Sequence, residues 1–389
     1  MNYRKFGKTG MEVSEIGMGL EYLLDKEDGV VSDTIKAAVD GGVNYFDCHM
    51  GHDFKEDAID YGGYAKLGKA VEGIRDQLCL TYIAHSAVRS PDETKPRFES
   101  YLKALNTDRA DVFIVQFCDK AADYEQVTKE GGIFEYAKKL KSEGKARAVG
   151  ISTHSSAIAF KAIDDGFDML MYPVNPAFDV VTDEARYKTE KLETLWDAAH
   201  DFKPEKDTAQ PRKNVYIECE RKGIGLTAMK PFAGGFIFRI EKDVGFTPVN
   251  LISYALAQNG VSTVVPGCAS PNEIAEILKY YDCAGEERDY SGAVSKSRWS
   301  VMGSCLYCNH CLPCGAGINI GQMNRLIDAF ADSGTKTDGI KDKYNALPVK
   351  ASACIECGAC AKRCPFEVKV IERLKRAVEI FEPVPKTCL

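Results

Sequence analysis

The sequence predicts an α/β protein in which a (β/α)8 barrel is followed by a small α-helical domain. Three observations lead to this fold class. Short apolar runs alternate with helical patterns through residues 1 to about 290, and eight such β–α units can be counted. No G-x-G-x-x-G motif follows the first predicted strand, which disfavours a doubly wound sheet. The last ninety or so residues carry two dense cysteine clusters instead.

The predicted strands are short, apolar and end at polar or glycine positions. They are Glu15–Gly19, Val43–Asp47, Leu80–Ala84, Asp111–Gln116, Ala146–Ser152, Met169–Val174, Gly225–Met229 and Ser262–Pro266. Predicted helices between them include Ser32–Asp40, Lys66–Gly73, Thr94–Leu105, Ile133–Ser142 and Pro271–Lys279. Ahead of the first strand, Tyr3–Val13 is predicted to form a β-hairpin that plugs the bottom of the barrel.

Two further segments organise the chain. A long charged insertion from Asp179 to Asn214 follows the sixth strand and is either a lid or a solvated excursion, since loops after barrel strands lie on the catalytic face. Residues 291–299 are polar and are predicted to link two domains, a barrel at 1–290 and a helical domain at 291–389. Helices are predicted there at Gln322–Ala331 and Val370–Ile380.

Composition excludes several functions. The net charge is −7 and basic residues are not clustered, so no nucleic-acid partner is expected. No run of about 18 apolar residues occurs, so no membrane span is expected. The N-terminus lacks the apolar core of a signal peptide, and a cytoplasmic location is therefore predicted.

Eight of the fifteen cysteines form two runs with ligand spacing. The runs are Cys305, Cys308, Cys311 and Cys314, then Cys354, Cys357, Cys360 and Cys364, the last followed by proline. Spacing of this kind is typical of two [4Fe–4S] clusters in which the last cysteine of each run binds the other cluster. One cluster would then use Cys305, Cys308, Cys311 and Cys364, and the other Cys354, Cys357, Cys360 and Cys314. Zinc is the alternative, but this spacing fits zinc poorly.

The barrel resembles the aldo-keto reductase superfamily, in its branch with a C-terminal iron–sulfur domain. The resemblance rests on Tyr3–Ser14, Phe46–Asp47, Val149–Ser152, Gly223–Pro231 and Val265–Gly267. It implies reduction of a carbonyl with NADPH, in which a tyrosine donates the proton, a lysine and an aspartate lower its pKa, and a histidine orients the substrate.

The resemblance places Asp47 at the position of the family's aspartate, but the other three members differ. His52 stands in place of the tyrosine, His85 in place of the lysine and Gln116 in place of the histidine. We therefore expect Asp47, His52 and His85 to handle protons, Gln116 to orient the substrate, and activity to change with an apparent pKa of roughly 6–7.

Three different interpretations of these residues remain open. The histidines could be bystanders. They could hold a metal ion together with His49. A shifted alignment could also bring Tyr61 or Tyr64 to the position of the acid.

The resemblance also implies a cofactor site. Ser152 and Asn175 match positions that contact nicotinamide in the family, although Met171 replaces the usual glutamine. Lys230, Gly234 and Gly267 follow the seventh and eighth strands, where barrels bind phosphate. NAD(P)H or a flavin is therefore expected.

The leading functional prediction is an oxidoreductase that exchanges electrons between the clusters and a small-molecule substrate or cofactor in the barrel. Ferredoxin or another electron carrier would be its partner. One alternative is a redox-sensing or nucleotide-binding protein with a degenerate barrel. Another is an ordinary carbonyl reductase in which the clusters are structural.

Overall fold

The computed structural model describes residues 1–23, 25–49, 63–182, 198–200, 212–300, 302–333 and 338–382. Eight parallel strands stand side by side in chain order, and bridges from Ile16 to Val264 and from Gly19 to Gly267 join the first to the last. The predicted (β/α)8 barrel is thereby confirmed. After a hairpin of β1 (Tyr3–Lys5) and β2 (Glu12–Ser14), the barrel strands are β3 (Met18–Gly19), β4 (Tyr45–Asp47), β5 (Cys79–Ala84), β6 (Ala110–Val115), β7 (Ala146–Ser152), β8 (Met169–Pro173), β9 (Gly225–Met229) and β10 (Val261–Val265).

Helices cover the outside of the barrel and continue beyond it. Along the barrel they are α1 (Asp28–Asp40), α2 (Gly63–Ala70), α3 (Pro91–Ala104), α4 (Ala121–Thr128), α5 (Ile133–Ser142), α6 (Ser156–Asp165), α7 (Pro176–Asp179), α8 (Lys213–Lys222), α9 (Phe236–Ile240), α10 (Pro248–Ala257) and α11 (Pro271–Leu278). Beyond it follow α12 (Gly285–Arg288), α13 (Ser291–Lys296), α14 (Ile320–Ser333), α15 (Asp338–Asn345), α16 (Ala359–Arg363) and α17 (Val370–Phe381).

The apolar pattern explains these elements. Every residue of β5 and β6 is buried, as expected of parallel strands covered on both faces. In α5 the buried residues Ile133, Phe134, Ala137 and Leu140 recur at helical spacing and form one face. The sequence predicted α5, β7 and β9 to their end residues. The first barrel strand is shorter than predicted, because Ile16 pairs only through an isolated bridge.

The N-terminal hairpin closes the bottom of the barrel, as predicted. Phe6, Met11 and Val13 are buried in one cluster with inward residues of the strands. The Lys8 N–H donates to the Gly223 carbonyl just ahead of β9 at 2.8 Å. Gly7 has a φ of +54°, and a Cβ there would lie 2.4 Å from the Gly225 nitrogen, so the hairpin approaches the barrel too closely for any larger residue.

The C-terminal helices have a core of their own, which includes Ile320, Met323 and Leu374. Tyr254 of α10 belongs to the same core and so joins it to the barrel. The segment predicted as a polar link is packed instead of extended. It begins with α13, and Trp299 is 1% exposed with its indole N–H donating to the Ala199 carbonyl at 2.7 Å.

The structure leaves most of the charged insertion after β8, including residues 183–197 and 201–211, outside the described residues. In the part of the chain that is described, no helix combines the length and apolar character needed to cross a membrane.

Candidate active site and cysteine clusters

A cavity of about 570 Å³ opens at the carboxyl ends of the barrel strands. This is the end at which barrel enzymes carry their chemistry. The cavity also has an apolar lining, which comes from Ile83, Ile114, Met171, Met229 and Val265. Seven of the sequence-predicted site residues line the cavity as well, namely Asp47, His85, Gln116, Ser152, Lys230, Gly234 and Gly267. His52 lies outside the described residues.

Asp47, the last residue of β4, carries a carboxyl group whose pKa is raised. The Thr81 hydroxyl donates to Asp47 Oδ1 at 3.3 Å and accepts from the Cys48 N–H at 2.8 Å. Burial, and then the charge of Glu21, raise the pKa of Asp47 to about 7 against the opposing effects of Thr81 and Lys230. Asp47 can therefore hold or release a proton near neutral pH.

His85 follows β5 and is a neutral imidazole at physiological pH. Its Nδ1 accepts from the Ala87 N–H at 3.1 Å, which places the ring proton on Nε2. Burial, followed by the charges of His49, Arg89 and Arg97, lowers the pKa of His85 to about 4. An activity limb with an apparent pKa of roughly 6–7 stays a prediction, and His85 is not the group expected to produce it, since a half-buried imidazole near positive charges resists protonation.

Gln116 follows β6 and contacts a histidine that the sequence had not paired with it. Its Nε2 lies 2.6 Å from His49 Nε2, while its Oε1 accepts from the Ser86 N–H at 3.2 Å. The Ser86 contact fixes which end of the amide faces His49, so the ring nitrogen acts as the acceptor. His49 Nδ1 lies 3.9 Å from Glu21 Oε1 on its other side.

A second histidine in the cavity wall, His154, was also missed. Its Nδ1 lies 3.1 Å from Asp119 Oδ2, and Asp119 Oδ1 accepts from the His154 N–H at 2.6 Å and from the Thr153 hydroxyl at 3.0 Å. The available signal was the position of His154 two residues beyond β7, at the catalytic end of the barrel. Its ring is held by a buried carboxylate, an arrangement that fixes orientation and tautomer.

The two residues matched to nicotinamide contacts differ in placement. Ser152 lines the cavity, and its hydroxyl accepts from the Phe117 N–H at 2.7 Å. Asn175 is fully buried and is not among the lining residues. Its amide accepts from the Phe178 N–H and donates to the Lys230 carbonyl, both at 2.9 Å. Asn175 therefore supports the loop that carries Lys230, and its predicted direct contact with a cofactor needs correction.

The two predicted phosphate loops also differ. Between Lys230 and Gly235, four of six residues have a positive φ, which curves the backbone in the manner of anion-binding loops. The loop after β10 already carries a carboxylate, because Glu273 accepts from the Ala269 N–H at 2.8 Å. A Cβ on Gly267 would lie 2.4 Å from the Tyr22 ring, so that ring packs directly against the glycine.

Tyr64, which a shifted alignment would make the acid, lies away from the cavity. It is buried against Tyr101 with ring centroids 5.0 Å apart and does not line the cavity, so it cannot serve as the acid there. Tyr61 lies outside the described residues. The metal site proposed from His49, His52 and His85 includes a residue outside those that the structure describes, and among the described residues no group of three histidine, cysteine or acidic side chains is placed to hold a single ion.

The cysteines are grouped across the two runs. Cys305, Cys308, Cys311 and Cys364 line a single cavity together with Phe366, Val368 and Val370. Burial, and then the charges of Cys305, Cys308 and Cys364, raise the pKa of Cys311 to about 12. Burial also raises the pKa of Cys360, and Cys354 and Cys314 contribute charge there. The last cysteine of the second run therefore lies beside the first three of the first run, and the last cysteine of the first run lies close enough to Cys360 to influence its pKa.

The backbone within each run turns sharply. Tyr307 and Asn309 have φ values of +60° and +65°, and Glu356 and Gly358 have values of +52° and +76°. Left-handed residues between the cysteines turn the chain back on itself, which lets thiols of one run face a common cavity. Non-glycine residues adopt this conformation rarely, so the turns are a specific feature of the two runs.

Comparison with known proteins agrees with this architecture. The model of the aldo/keto reductase family matches residues 15–250. The chain belongs to the aldo/keto reductase family. Aldo/keto reductases are oxidoreductases, and most residues that line the cavity described above lie within the part of the chain that matches, Val265 and Gly267 being the exceptions. The match ends before Cys305, so it covers the barrel and not the cysteine runs.

Solved structures show the same fold. The aldo-keto reductase AKR11C1 of Bacillus halodurans is 17% identical, with a TM-score of 0.53 over 74% of this chain and 94% of that one. PA4992 of Pseudomonas aeruginosa is 19% identical, with a TM-score of 0.51 over 72% of this chain and 93% of that one. At this level of identity the likeness concerns the fold of the barrel.

Proposed function

We propose that this aldo/keto reductase is an iron–sulfur oxidoreductase that binds two [4Fe–4S] clusters in its C-terminal helices and acts on a small molecule in the barrel cavity. The observation that carries the proposal is the crossed grouping of the thiols. Cys364 of the second run lies with the first run, and Cys314 of the first run contributes charge at Cys360. Exchange of the last cysteine between runs is the ligand pattern of two-cluster ferredoxins.

The donor set fits clusters better than single ions. A tetrahedral zinc site needs four ligands around one point, whereas a cubane places one thiolate on each of four irons and spreads its ligands. Four thiols surround one cavity here, yet no three ligand side chains among the described residues converge as a single ion requires. Clusters of this type supply electrons one at a time when bound.

Within the cavity we assign proton handling to Asp47. Its pKa of about 7 lets it donate a proton at or below neutral pH, which the tyrosine does in the wider family. Neutral His85 can donate a hydrogen bond from Nε2 to a substrate oxygen without carrying charge. Gln116 and His49 form the facing wall, and His52 remains a predicted member of the same centre. The tetrad of the family is therefore proposed to be replaced at three positions.

We further propose that a phosphate group of a cofactor binds at the curved loop with Lys230 and Gly234. At Gly267 a phosphate would meet the Tyr22 ring and the Glu273 carboxylate. These contacts favour a single phosphate over a pyrophosphate, and so favour a flavin mononucleotide over NAD(P)H. Ser152 would then contact the ring system of the cofactor from the wall of the cavity.

An external electron carrier such as ferredoxin is the proposed partner. Cys357 is exposed, and its neighbour Ile355 is an apolar side chain that is 70% exposed. Both lie in the second cysteine run, which would place that cluster at the surface. A reducing compartment such as the cytoplasm is the setting that such exposed thiolate ligands need.

Anaerobic purification followed by cofactor analysis tests the proposal. We expect about eight irons and eight acid-labile sulfides per chain, since each cubane contains four of each. Flavin and nicotinamide are measured in the same sample. Two zinc ions per chain, without the brown absorbance of iron–sulfur clusters, would overturn the proposal.

A further inference from the structure

Lys213 joins the barrel to the first group of thiols. Its Nζ donates to the Cys305 carbonyl at 2.9 Å and pairs with Asp328 Oδ2 at 2.8 Å. The side chain is 12% exposed, and Nζ lies 4.3 Å from the centroid of the Tyr307 ring. Lys213 is thus a largely but not fully buried cation held against the backbone of a predicted cluster ligand.

The charges around Lys213 are unbalanced. Arg325 also lies 4.3 Å from the Tyr307 ring, and Arg373 pairs with Asp328. The Tyr307 hydroxyl donates to Asp328 at 2.7 Å. Two cations, Lys213 and Arg373, therefore share the Asp328 carboxylate, and Arg325 adds a third cation next to the same tyrosine ring.

The residue before Lys213 contacts the wall of the candidate active site. Arg212 is fully buried, its Nη1 donates to the His154 carbonyl at 3.1 Å, and its guanidinium lies 4.2 Å from the Tyr172 ring. Two consecutive residues at the start of α8 thus contact the cavity wall on one side and Cys305 on the other. Interactions between adjacent buried residues are screened little by salt.

The second group of thiols, formed by Cys354, Cys357, Cys360 and Cys314, has a different environment. Lys375 Nζ lies 2.8 Å from Oε2 of Glu356 in the second run, and the two side chains are 59% and 53% exposed. An exposed pair of opposite charges has no net charge and is screened by water. The two groups therefore differ in the cations that face them.

We propose that the Cys305 group holds the cluster that serves the barrel cavity, and that Lys213 raises the reduction potential of that cluster selectively. This inference rests on the proposed function. Reduction of a [4Fe–4S] cluster adds one negative charge, which a buried cation stabilises. The residue is a tuning and positioning residue, since it contacts neither substrate nor the thiol sulfurs in the observed geometry.

A redox titration of the anaerobic holoprotein, followed by electron paramagnetic resonance, tests the inference without a substrate. Lys213→Met is expected to lower the midpoint potential of one cluster. At a fixed potential the ratio of reduced to oxidised cluster should fall roughly tenfold. Asp328→Asn is expected to raise the same midpoint, because it removes the opposing charge. Lys375→Met is the matched control and should shift either midpoint much less.

Cysteine-to-serine variants assign the signals. Cys308→Ser should alter the spectrum of the cluster that responds to Lys213, and Cys357→Ser should alter the other. Equal shifts of both clusters, unchanged midpoints, or shifts of the same sign in Lys213→Met and Asp328→Asn would overturn the inference alone. Absence of cluster signals from the unaltered protein would overturn the proposed function as well. Lys213→Arg keeps the charge and should keep the midpoint, which separates the electrostatic effect from loss of folding.

Discussion

The side-chain nitrogen of Gln116 lies 2.6 Å from Nε2 of His49, although 67 residues separate the two in sequence. The contact joins the residue that follows β6 to a residue just beyond β4 in the wall of the cavity. Because Ser86 fixes the amide orientation, His49 accepts at Nε2 and in its neutral form carries its proton on Nδ1, on the side of Glu21. A neutral glutamine therefore decides the tautomer of a histidine in the candidate active site.

Gln116→Glu should favour the protonated form of His49. A carboxylate beside His49 favours the imidazolium, so the midpoint of the His49 titration is expected at higher pH than in the unaltered protein. Nuclear magnetic resonance of ¹⁵N-labelled histidine measures it. Gln126→Glu makes the same charge change at an exposed site on α4 and should leave the His49 signals in place. An unchanged His49 titration in Gln116→Glu would show that the contact does not persist in solution.

Asp47→Asn should stabilise the protein at pH 8. The pKa of Asp47 is raised from 3.8 to about 7, so the folded protein keeps a proton that the unfolded chain releases. The contribution of Asp47 to stability is therefore fully present below pH 4 and is lost as pH rises through 7. One pKa unit is worth 1.36 kcal/mol, which predicts a gain of roughly 2–4 kcal/mol for the uncharged variant at pH 8.

Urea denaturation at pH 5 and pH 8 measures this gain. Asp33→Asn on the exposed face of α1 provides the control and should show no such pH dependence. Asp47→Asn should also abolish an activity that declines above pH 7. A variant that is no more stable at pH 8 than at pH 5, relative to the unaltered protein, would contradict the raised pKa of Asp47.

His85 should remain neutral throughout the physiological range. Its pKa of about 4 lies below the ordinary value of 6.5, so stability is lost as pH falls from 6.5 towards 4. In ¹⁵N spectra the His85 signals should not shift between pH 5.5 and 8. Removing its hydrogen bond with His85→Ala should lower turnover by on the order of 10²-fold, once a substrate is known, without moving the pH limb. His200→Ala, at an exposed site, should leave turnover unchanged.

Crossed ligation predicts which cysteine variants behave alike. Cys364→Ala should weaken the same cluster as Cys308→Ala, and Cys314→Ala the same cluster as Cys357→Ala. Iron content and paramagnetic resonance spectra distinguish the two classes. Cys283→Ala, a cysteine outside both runs, should retain both clusters. If Cys314→Ala instead groups with Cys308→Ala, each run binds its own cluster and the crossed assignment is wrong.

Tyr22→Ala should tighten binding of a pyrophosphate cofactor. The ring packs on Gly267, where a second phosphate would otherwise approach the backbone. Titration with FMN, FAD, NADH and NADPH should show FMN binding best to the unaltered protein, and FAD or NADPH gaining most from the substitution. Tyr3→Ala removes a tyrosine of equal exposure from the hairpin at the other end of the barrel and is the control. No binding of any of the four would remove the cofactor proposal.

Burial explains why the barrel could be predicted from the sequence. Strands such as β5 and β6 are apolar throughout because both faces are covered, so each gives a continuous signal that needs no partner to recognise it. The cysteine spacing is equally local, and the two clusters with exchanged Cys314 and Cys364 that it indicates remain a prediction. Strands and helices encoded within ten neighbouring residues were predicted with few errors.

The candidate site depends on contacts between strand ends that are distant in sequence. The pairs His49–Gln116 and Asp119–His154 join different strand ends, so no local pattern marks either of them. The low pKa of His85 depends on burial and on the charges of His49, Arg89 and Arg97. Asn175 stands at a family position, but two backbone contacts occupy its amide. None of these contacts, nor the pKa shift, could be predicted from the sequence alone.

The hairpin that carries Phe6, Met11 and Val13 closes the bottom of the barrel, opposite the end at which the cavity opens. As far as the described residues define its walls, whatever enters at the carboxyl ends of the strands must leave by the same route. A product that lingers there blocks the next substrate, so product inhibition should be competitive with substrate. In the proposed function electrons would arrive by a different side, because Lys213 contacts the Cys305 carbonyl and Arg212 contacts the His154 carbonyl in the cavity wall. The fold would then separate the path of molecules from the supply of reducing equivalents.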